Sequence, residues 1–497
     1  MISGSPAAVG TAPQATPTPA ADLPDPHQVR SHDHVDAAGK VVGSREPASF
    51  RDPSGFVFVE NGVVRRQVNS VYFPQYDKLM ASGLYAALSR SSMLVKHELI
   101  DETADRKVIQ PEQLPFISYP YEWSFSQLKD AALLTLDVHL TALSHGMILK
   151  DATAFNVQFA DAKPVFIDTL SFDFYHDGAP WVAYGQFCRH FLAPLLLMKY
   201  IAPELIRQQT LFLDGIPLEI ASAMLPLRTH FSPLIKANIH LHAKSLSKYK
   251  EKFSSDRQPK VSLMTHKNIV NSLKGLVQGL RYQSQTQWGD YYSFANYDDA
   301  AFRFKEGIVT RWIGEAGVKR LWDIGGNDGH FSRLVQHLCD RILCTDIDAL
   351  AVDKNYLQCK QRHEEKIIPL VVDYMNPTPG LGFANKERKD LRERVKAFEP
   401  DCILALALVH HLCISNNCTF EMLADSFNSV SKRLIIEFVH PTDSWAAKLL
   451  QSKRDARHLF DFYNKQSFES AFSEHYRIVE QVEVPGSERT LYLMDSR

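Results

Sequence analysis

The chain lacks any long apolar run. Across its 497 residues nothing approaches the roughly 18 consecutive apolar residues of a membrane-spanning helix, and no basic segment followed by an apolar core stands at the N-terminus. The expectation is a cytoplasmic protein with no membrane partner. Cysteine is scarce: the seven residues Cys188, Cys339, Cys344, Cys359, Cys402, Cys413 and Cys418 are odd in number and include no C-x-x-C pair. They read as reduced thiols. Cys413 and Cys418 lie near His410 and His411, but the close ligand pairs of a zinc site are missing, so no metal is expected. An excess of one charge is also absent, with Lys+Arg 55 against Asp+Glu 57. Without a global basic field, nucleic acid is not indicated as a partner.

What remains is globular composition, 45% hydrophobic and 23% charged, enough for two or three packed units. Residues 1–48, rich in Ala, Pro, Thr and Gly, offer almost no large apolar groups and read as a disordered tail. From Gly55 the run GFVFVENGVVRRQV places Asn61-Gly62 between two β-rich segments, a strong hairpin signal. A helix over about 76–90 and a strand over about 93–100 should follow. SFSQLKDAALLTLDVHLTALSHG puts Leu128, Ala132, Leu136, Leu140 and Leu143 on one helical face that ends at Gly146. Helices dominate from 181 to 285, one of them interrupted by Pro194, and the Lys- and Ser-rich stretch 244–260 is the linker candidate. The division predicted is a tail (1–48), an α+β unit (49–255), a helical linker (256–285) and an α/β unit (286–497).

In that last unit apolar strands alternate with helices, near 318–324, 342–345, 367–372, 402–408 and 433–438, and then 476–484 and 490–494 pair as a hairpin. Such alternation predicts a parallel sheet covered on both faces, with the final strand antiparallel. LWDIGGNDGHFSRL, after the first strand, carries Asp323, Gly325, Gly326, Asn327, Asp328 and Gly329. Its order is D-x-G-x-x-x-G and not the G-x-G-x-x-G of a dinucleotide site. Two acids beside a pyrophosphate repel it, whereas a cationic sulfonium ligand welcomes them.

On these residues the segment resembles the class I S-adenosylmethionine-dependent methyltransferases, over about 286–497. The resemblance implies a Rossmann-like seven-stranded sheet, S-adenosyl-L-methionine as cofactor and an unidentified methyl acceptor as partner. It implies that Asp346, at the end of ILCTDID, meets the ribose hydroxyls, with Asp348 as the competing acid, and that Asp373, in IIPLVVDY, meets the adenine. Asn327 stands where the family commonly has glycine. Methyl transfer from a sulfonium needs in-line positioning, and a base only where the acceptor carries a proton. Candidate bases are His410 and His411 after the fourth strand, and Glu437 or His440 after the fifth. On an extended segment only one of the two histidines would face the pocket. In similar methyltransferases a segment such as TQWGDYYSFANYDD, with Trp288, Tyr291 and Tyr292, lies over the cofactor or acceptor. The charged run NKERKDLRERVK reads as a solvated helix face.

Upstream, HGMILKDATAFNVQFADAKPVFIDTLSF spaces Asp151 and Asn156 as D-x-x-x-x-N, with Asp168 twelve residues on. The spacing resembles the catalytic loop and metal-binding acid of kinases, and the preceding hairpin, helix and ISYPYEW hinge follow kinase order. Leu149 stands where such loops have His, no glycine-rich loop precedes the second strand, and no phosphate-binding lysine is assigned, Lys96 and Arg66 being candidates. A kinase-like region followed by a methyltransferase resembles bacterial nodulation-associated methyltransferases. The predicted function is S-adenosylmethionine-dependent methyl transfer; the alternative is a phosphotransferase or nucleotide-binding module in the kinase-like region.

Overall fold

The computed structural model describes residues 33–35, 41–245, 260–282 and 299–497. The predicted tail falls largely outside these, but not wholly. Strands β1 (Asp33–Val35) and β2 (Val41–Arg45) pair with each other, and β2 pairs with β3 (Gly55–Glu60), so the end of the predicted tail belongs to a sheet. Edge pairing of this kind is made by backbone groups, which composition does not reveal.

β3 turns into β4 (Val63–Asn69) through Asn61 and Gly62, with φ of 50° and 78°, as the hairpin signal predicts. The predicted single helix is two, α1 (Phe73–Ala81) and α2 (Leu84–Arg90), parted at Gly83, which takes a φ of 78°. Strands β5 (His97–Glu102) and β6 (Arg106–Pro111) complete an antiparallel six-stranded sheet in the order β1-β2-β3-β4-β6-β5. Ser124 then caps α3 (Phe125–Ser144) in a reciprocal box with Gln127, and Gly146 at φ 71° ends the turn after it. The predicted face of this helix is buried except for Leu140, and Leu134 and Val138 are buried besides. Short strands follow: β7 (Met147–Leu149), the hairpin β8 (Val157–Ala160) and β9 (Lys163–Phe166), and β10 (Phe172–Phe174), which returns to pair with β7. A π turn over Cys188–Leu192 carries the chain past Pro194 into α4 (Ala193–Tyr200) without a break.

The segment expected as a helical linker forms α5 (Leu263–Gly279), which packs on α3. Val270, Leu273 and Val277 are fully buried there, and His266 meets His139 at 3.0 Å. Its apolar stripe belongs to the N-terminal core, so this stretch is part of that unit and not a spacer.

The C-terminal unit opens with α6 (Asp299–Glu315) and builds a sheet from β11 (Arg320–Ile324), β12 (Arg341–Asp346), β13 (Ile367–Val371), β14 (Cys402–Ala405), β15 (Arg433–Val439), β16 (Tyr476–Glu483) and β17 (Arg489–Ser496). The order is β13-β12-β11-β14-β15-β17-β16, with β17 antiparallel to both its neighbours and the first five strands parallel. Helices α7 (His330–Val335), α8 (Ala349–Arg362), α9 (Leu391–Phe398), α10 (Phe420–Asn428), α11 (Ser444–Ser452) and α12 (Lys465–Ser473) make the connections. The five parallel strands are near-continuous apolar runs because both faces are covered, whereas β16 alternates with exposed, mostly polar residues.

The two units share one continuous apolar core. Phe159 packs edge-on against Tyr356, and Phe116 against Phe398. Ion pairs edge the contact. Arg394 on α9 clamps Glu122 with both guanidinium nitrogens, one at 2.9 Å, and both side chains are buried. The charged run read as a solvated face is thus partly an internal interface.

Candidate active site

A cavity of about 330 Å³ opens at the carboxyl ends of β11, β12, β13 and β14, where ligands of open parallel sheets bind. Its floor is the bend after β11. Gly325 takes a φ of 72°, and both Gly325 and Gly326 donate backbone N–H to the Thr345 carbonyl, at 2.8 and 3.1 Å. A Cβ on Gly326 would lie 2.5 Å from Cys344 Sγ, and one on Gly329 2.4 Å from Asn355 Oδ1, so these two glycines let the bend seat on the strands below. Asn327 adopts a φ of 50°. Asparagine is, after glycine, the residue that best tolerates that left-handed conformation, which explains how it stands where the resemblance leads one to expect glycine.

Asp323 is buried and accepts a 2.6 Å hydrogen bond from the Ser332 hydroxyl. Burial pushes its carboxyl up to about 6, with Asp346 adding to the rise. Asp346 ends β12 and holds the bend, accepting from Asn327 N and Asp348 N, each at 2.8 Å; burial lifts it also to about 6. The competing acid Asp348 is the N-cap of α8, accepting from Leu350 N at 2.8 Å and Ala351 N at 3.2 Å. Asp373 caps the turn after β13, its Oδ1 accepting from Met375 N and Asn376 N. Asp323, Gly325, Gly326, Asn327, Asp346 and Asp373 all line the cavity; Gly329 sits one step behind it, as the left-handed N-cap of α7.

At the other end the histidines begin a helical turn and not the extended segment expected, so the two rings stand 4.1 Å apart on one side of the chain. His411 lines the cavity, and burial lowers it to about 4; His410 is buried behind it and does not. Glu437 requires correction as a candidate base. It is fully buried outside the cavity lining and accepts from Ala407 N and Lys305 Nζ, each at 2.6 Å. A carboxylate so engaged holds the wall; in particular it holds Ala407 at a φ of 49°. His440 is bonded to Thr490 Oγ1 at 3.1 Å, away from the cavity lining. Trp288, Tyr291 and Tyr292 lie outside the described residues.

Lys305 was not foreseen. It lines the cavity from α6, fully buried and lowered by that burial against the pull of Glu437. Its signal was its place on the apolar stripe Ala301, Lys305, Val309, Trp312, where a lysine is out of pattern.

Outside this cavity, the N-terminal acids are brought together but engaged. Asp168 is clamped by Arg66 and by the Ser171 hydroxyl and accepts from Leu170 N at 3.1 Å. Asn156 donates to Ser171 at 3.0 Å, and Asp151 accepts from Thr153 N at 3.0 Å and Gln186 at 2.8 Å. Among the described residues no group of three or more His, Cys, Asp or Glu is placed to hold a metal, and no helix is long and apolar enough to cross a membrane. All seven cysteines are buried and unpaired.

Among proteins of known annotation, the chain is 32% identical over 471 residues to the nodulation protein NoeA of Rhizobium meliloti (strain 1021), covering 92% of this chain and 96% of that one. The chain belongs to the NoeA family. No family model matches it. NoeA matches along nearly its full length, so the shared ancestry spans both units. Partial likenesses to solved structures also exist. One is the N-methyltransferase NodS from Bradyrhizobium japonicum WM9 (14% identity, 40% of this chain and 98% of that one, TM-score 0.29). Another is magnesium protoporphyrin IX methyltransferase from Synechocystis PCC 6803 (13% identity, 43% and 90%, TM-score 0.30). At such scores they carry no weight beside the sheet order and the cleft that this NoeA relative displays.

Proposed function

We propose that the C-terminal unit binds S-adenosyl-L-methionine in this cleft and transfers its methyl group to an acceptor by in-line displacement. One observation carries the reading: the acidic glycine bend after β11 and the carboxylate of Asp346 open onto the same cavity, at the ligand end of a sheet ordered as in class I methyltransferases. The residues present fit the cofactor. Burial holds the carboxyls of Asp323 and Asp346 up at about 6, and the charge of Asp346 adds to the rise at Asp323; a cationic ligand favours their ionised forms and a phosphate chain opposes them. Asp346 takes backbone N–H groups on both oxygens, and the four lone pairs of its carboxylate leave room for a ribose hydroxyl.

When bound, the cofactor supplies an already activated methyl group. This chain's residues then have two tasks, to hold the acceptor in line and to exclude water. His411, neutral at pH 7, presents a ring at the acceptor end that can take a hydrogen bond from a hydroxyl or amine. Lys305 and Glu437 keep the Ala407 wall in place.

The test is calorimetric titration of the full chain with S-adenosylhomocysteine and, separately, with ATP and Mg²⁺. Binding of the first is expected; binding of the second alone would overturn the reading. Incubating a cell extract with isotopically labelled methyl donor then identifies the acceptor. For the phosphotransferase alternative the order of elements around Asp151, Asn156 and Asp168 supports kinase-like descent. Arg66, however, already neutralises the acid that would hold Mg²⁺, and no observation favours phosphoryl transfer.

A further inference from the structure

The cavity wall at the end of β13 is fastened to the N-terminal unit. Val372, Asp373, Tyr374 and Met375 line the cavity, and the loop they begin then leaves it and runs along the other unit to α9. Along that path Glu387 takes Arg51 at 2.6 and 2.9 Å, and Lys389 Nζ donates to Glu46 at 2.8 Å. The Arg388 guanidinium lies 4.1 Å over the Phe155 ring, and Lys389 N donates to the Tyr119 hydroxyl at 3.1 Å. Both Asp373 and the turn it caps are gripped by one residue of the N-terminal unit. Arg207 donates to the Asn376 carbonyl at 3.0 Å and stands 3.5 Å from Asp373 Oδ2. Its mounting is firm, since Ile206 and Gln209 on the same short helix, Pro203–Thr210, are fully buried.

Asp373 Oδ1 is spent on its own turn, so Oδ2 is the oxygen left for a ligand, and Arg207 is the cation that faces it. We propose that Arg207 is a positioning residue through which the N-terminal unit sets the affinity and base preference of the cofactor cleft. The proposal rests on the cofactor reading above. Oδ2, held in one orientation, accepts a hydrogen bond from the exocyclic amine of adenine; released, it swings toward solvent and the purine end of the cleft loosens. Recognition of the cofactor thereby depends on both units being assembled, although among the described residues those lining the cavity belong to one of them.

Two analogues distinguish positioning from bulk structure: S-adenosylhomocysteine, and S-inosylhomocysteine, in which an oxo group replaces the exocyclic amine. Calorimetry on the full chain compares the wild type with Arg207→Ala and Arg207→Lys. The wild type should prefer the adenosyl compound. Arg207→Ala should weaken that compound about 2- to 5-fold, the span of a part-exposed ion pair, and weaken the inosyl compound less, so that the preference narrows. Arg207→Lys, which keeps the charge, should restore most of it. Unchanged or tighter adenosyl binding in Arg207→Ala overturns the proposal, and so does an equal loss for both analogues. A wild type that binds neither analogue instead removes the cofactor reading, and the proposal with it.

Discussion

Two sets of acids stand in this molecule. Asp323, Asp346 and Asp373 sit at strand ends of the C-terminal sheet around a cavity; Asp151 and Asp168 sit on the connections β7–β8 and β9–β10 of the N-terminal unit. Both sets carry burial, and Asp151 too is raised by it and by the nearby Asp168. They differ in their partners, most sharply between Asp168 and Asp346, since Asp373 also faces a guanidinium, that of Arg207 at 3.5 Å. Asp168 has a guanidinium, a hydroxyl and a backbone N–H already on it. Asp346 is held by backbone N–H groups, with no cation among these partners, and has open space in front. A carboxylate whose charge is balanced internally is structure; one whose charge is left to be balanced by whatever enters the cavity is a site.

The hardest blow to this contrast falls on the N-terminal set. Asp168→Ala leaves Arg66 without its partner in a half-buried position, at an expected cost of about 3 kcal/mol in unfolding free energy. Urea unfolding reads the loss, while S-adenosylhomocysteine affinity should stay within about 2-fold of wild type because the residue is remote from the cavity. Thermal stabilisation of the wild type by ATP and Mg²⁺ would break the comparison, since it would require Asp168 to leave Arg66.

Asp346→Ala should act the other way round. Losing charge-assisted bonds to ribose hydroxyls is worth about 1.5–3 kcal/mol, or roughly 10- to 100-fold in S-adenosylhomocysteine affinity. The bend also loses its anchor at Asn327 N. Calorimetry giving an unchanged dissociation constant would remove Asp346 from the site.

Acidity separates the two functions of these carboxyls. Their folded values, about 6, lie above the unfolded range. The stability they contribute to the empty protein is therefore fully present below about 4 and lost as pH rises through 6. Ligand binding needs them ionised. S-adenosylhomocysteine affinity should then fall about 10-fold per participating carboxyl between pH 7.5 and 5, while the empty protein gains from the same protons. An affinity flat across that window would mean that neither carboxyl faces the ligand.

How legible all this was in the sequence follows from the same distinction. Buried parallel strands are apolar on both faces, so β11 to β15 stood out as runs, and the bend stood out because glycines beside acids are costly unless used. What a sequence does not print is the partner. Arg394 and Glu387 in a charged run look solvated, yet one is buried against Glu122 and the other against Arg51. Glu437 after a strand looks like a base, yet Lys305 and Ala407 N consume it. Lys305 itself looked like one more surface lysine, and the stripe it interrupts was its sole trace. α5 read as a linker because its buried Val270, Leu273 and Val277 pack on α3, far back in the sequence of the same unit, and not on their own sequence neighbours.

The smallest expected effect tests the backbone of the bend alone. Asn327 holds a φ of 50° and donates its N–H to Asp346. Asn327→Ala places an ordinary Cβ in the left-handed region, at about 1 kcal/mol, or roughly 5-fold in S-adenosylhomocysteine affinity if the bend shifts to relieve it. Asn327→Gly keeps that φ at no steric cost and preserves the N–H, so affinity should stay within about 2-fold of wild type. If glycine falls as far as alanine, the asparagine side chain itself serves the ligand, and the cleft then recognises its occupant through one more group than the acids and the backbone described above. If neither falls, the bend is not under the constraint that the carboxylate of Asp346 places on it, and the distinction between acids left open for a ligand and acids closed by structure would have to be drawn without it.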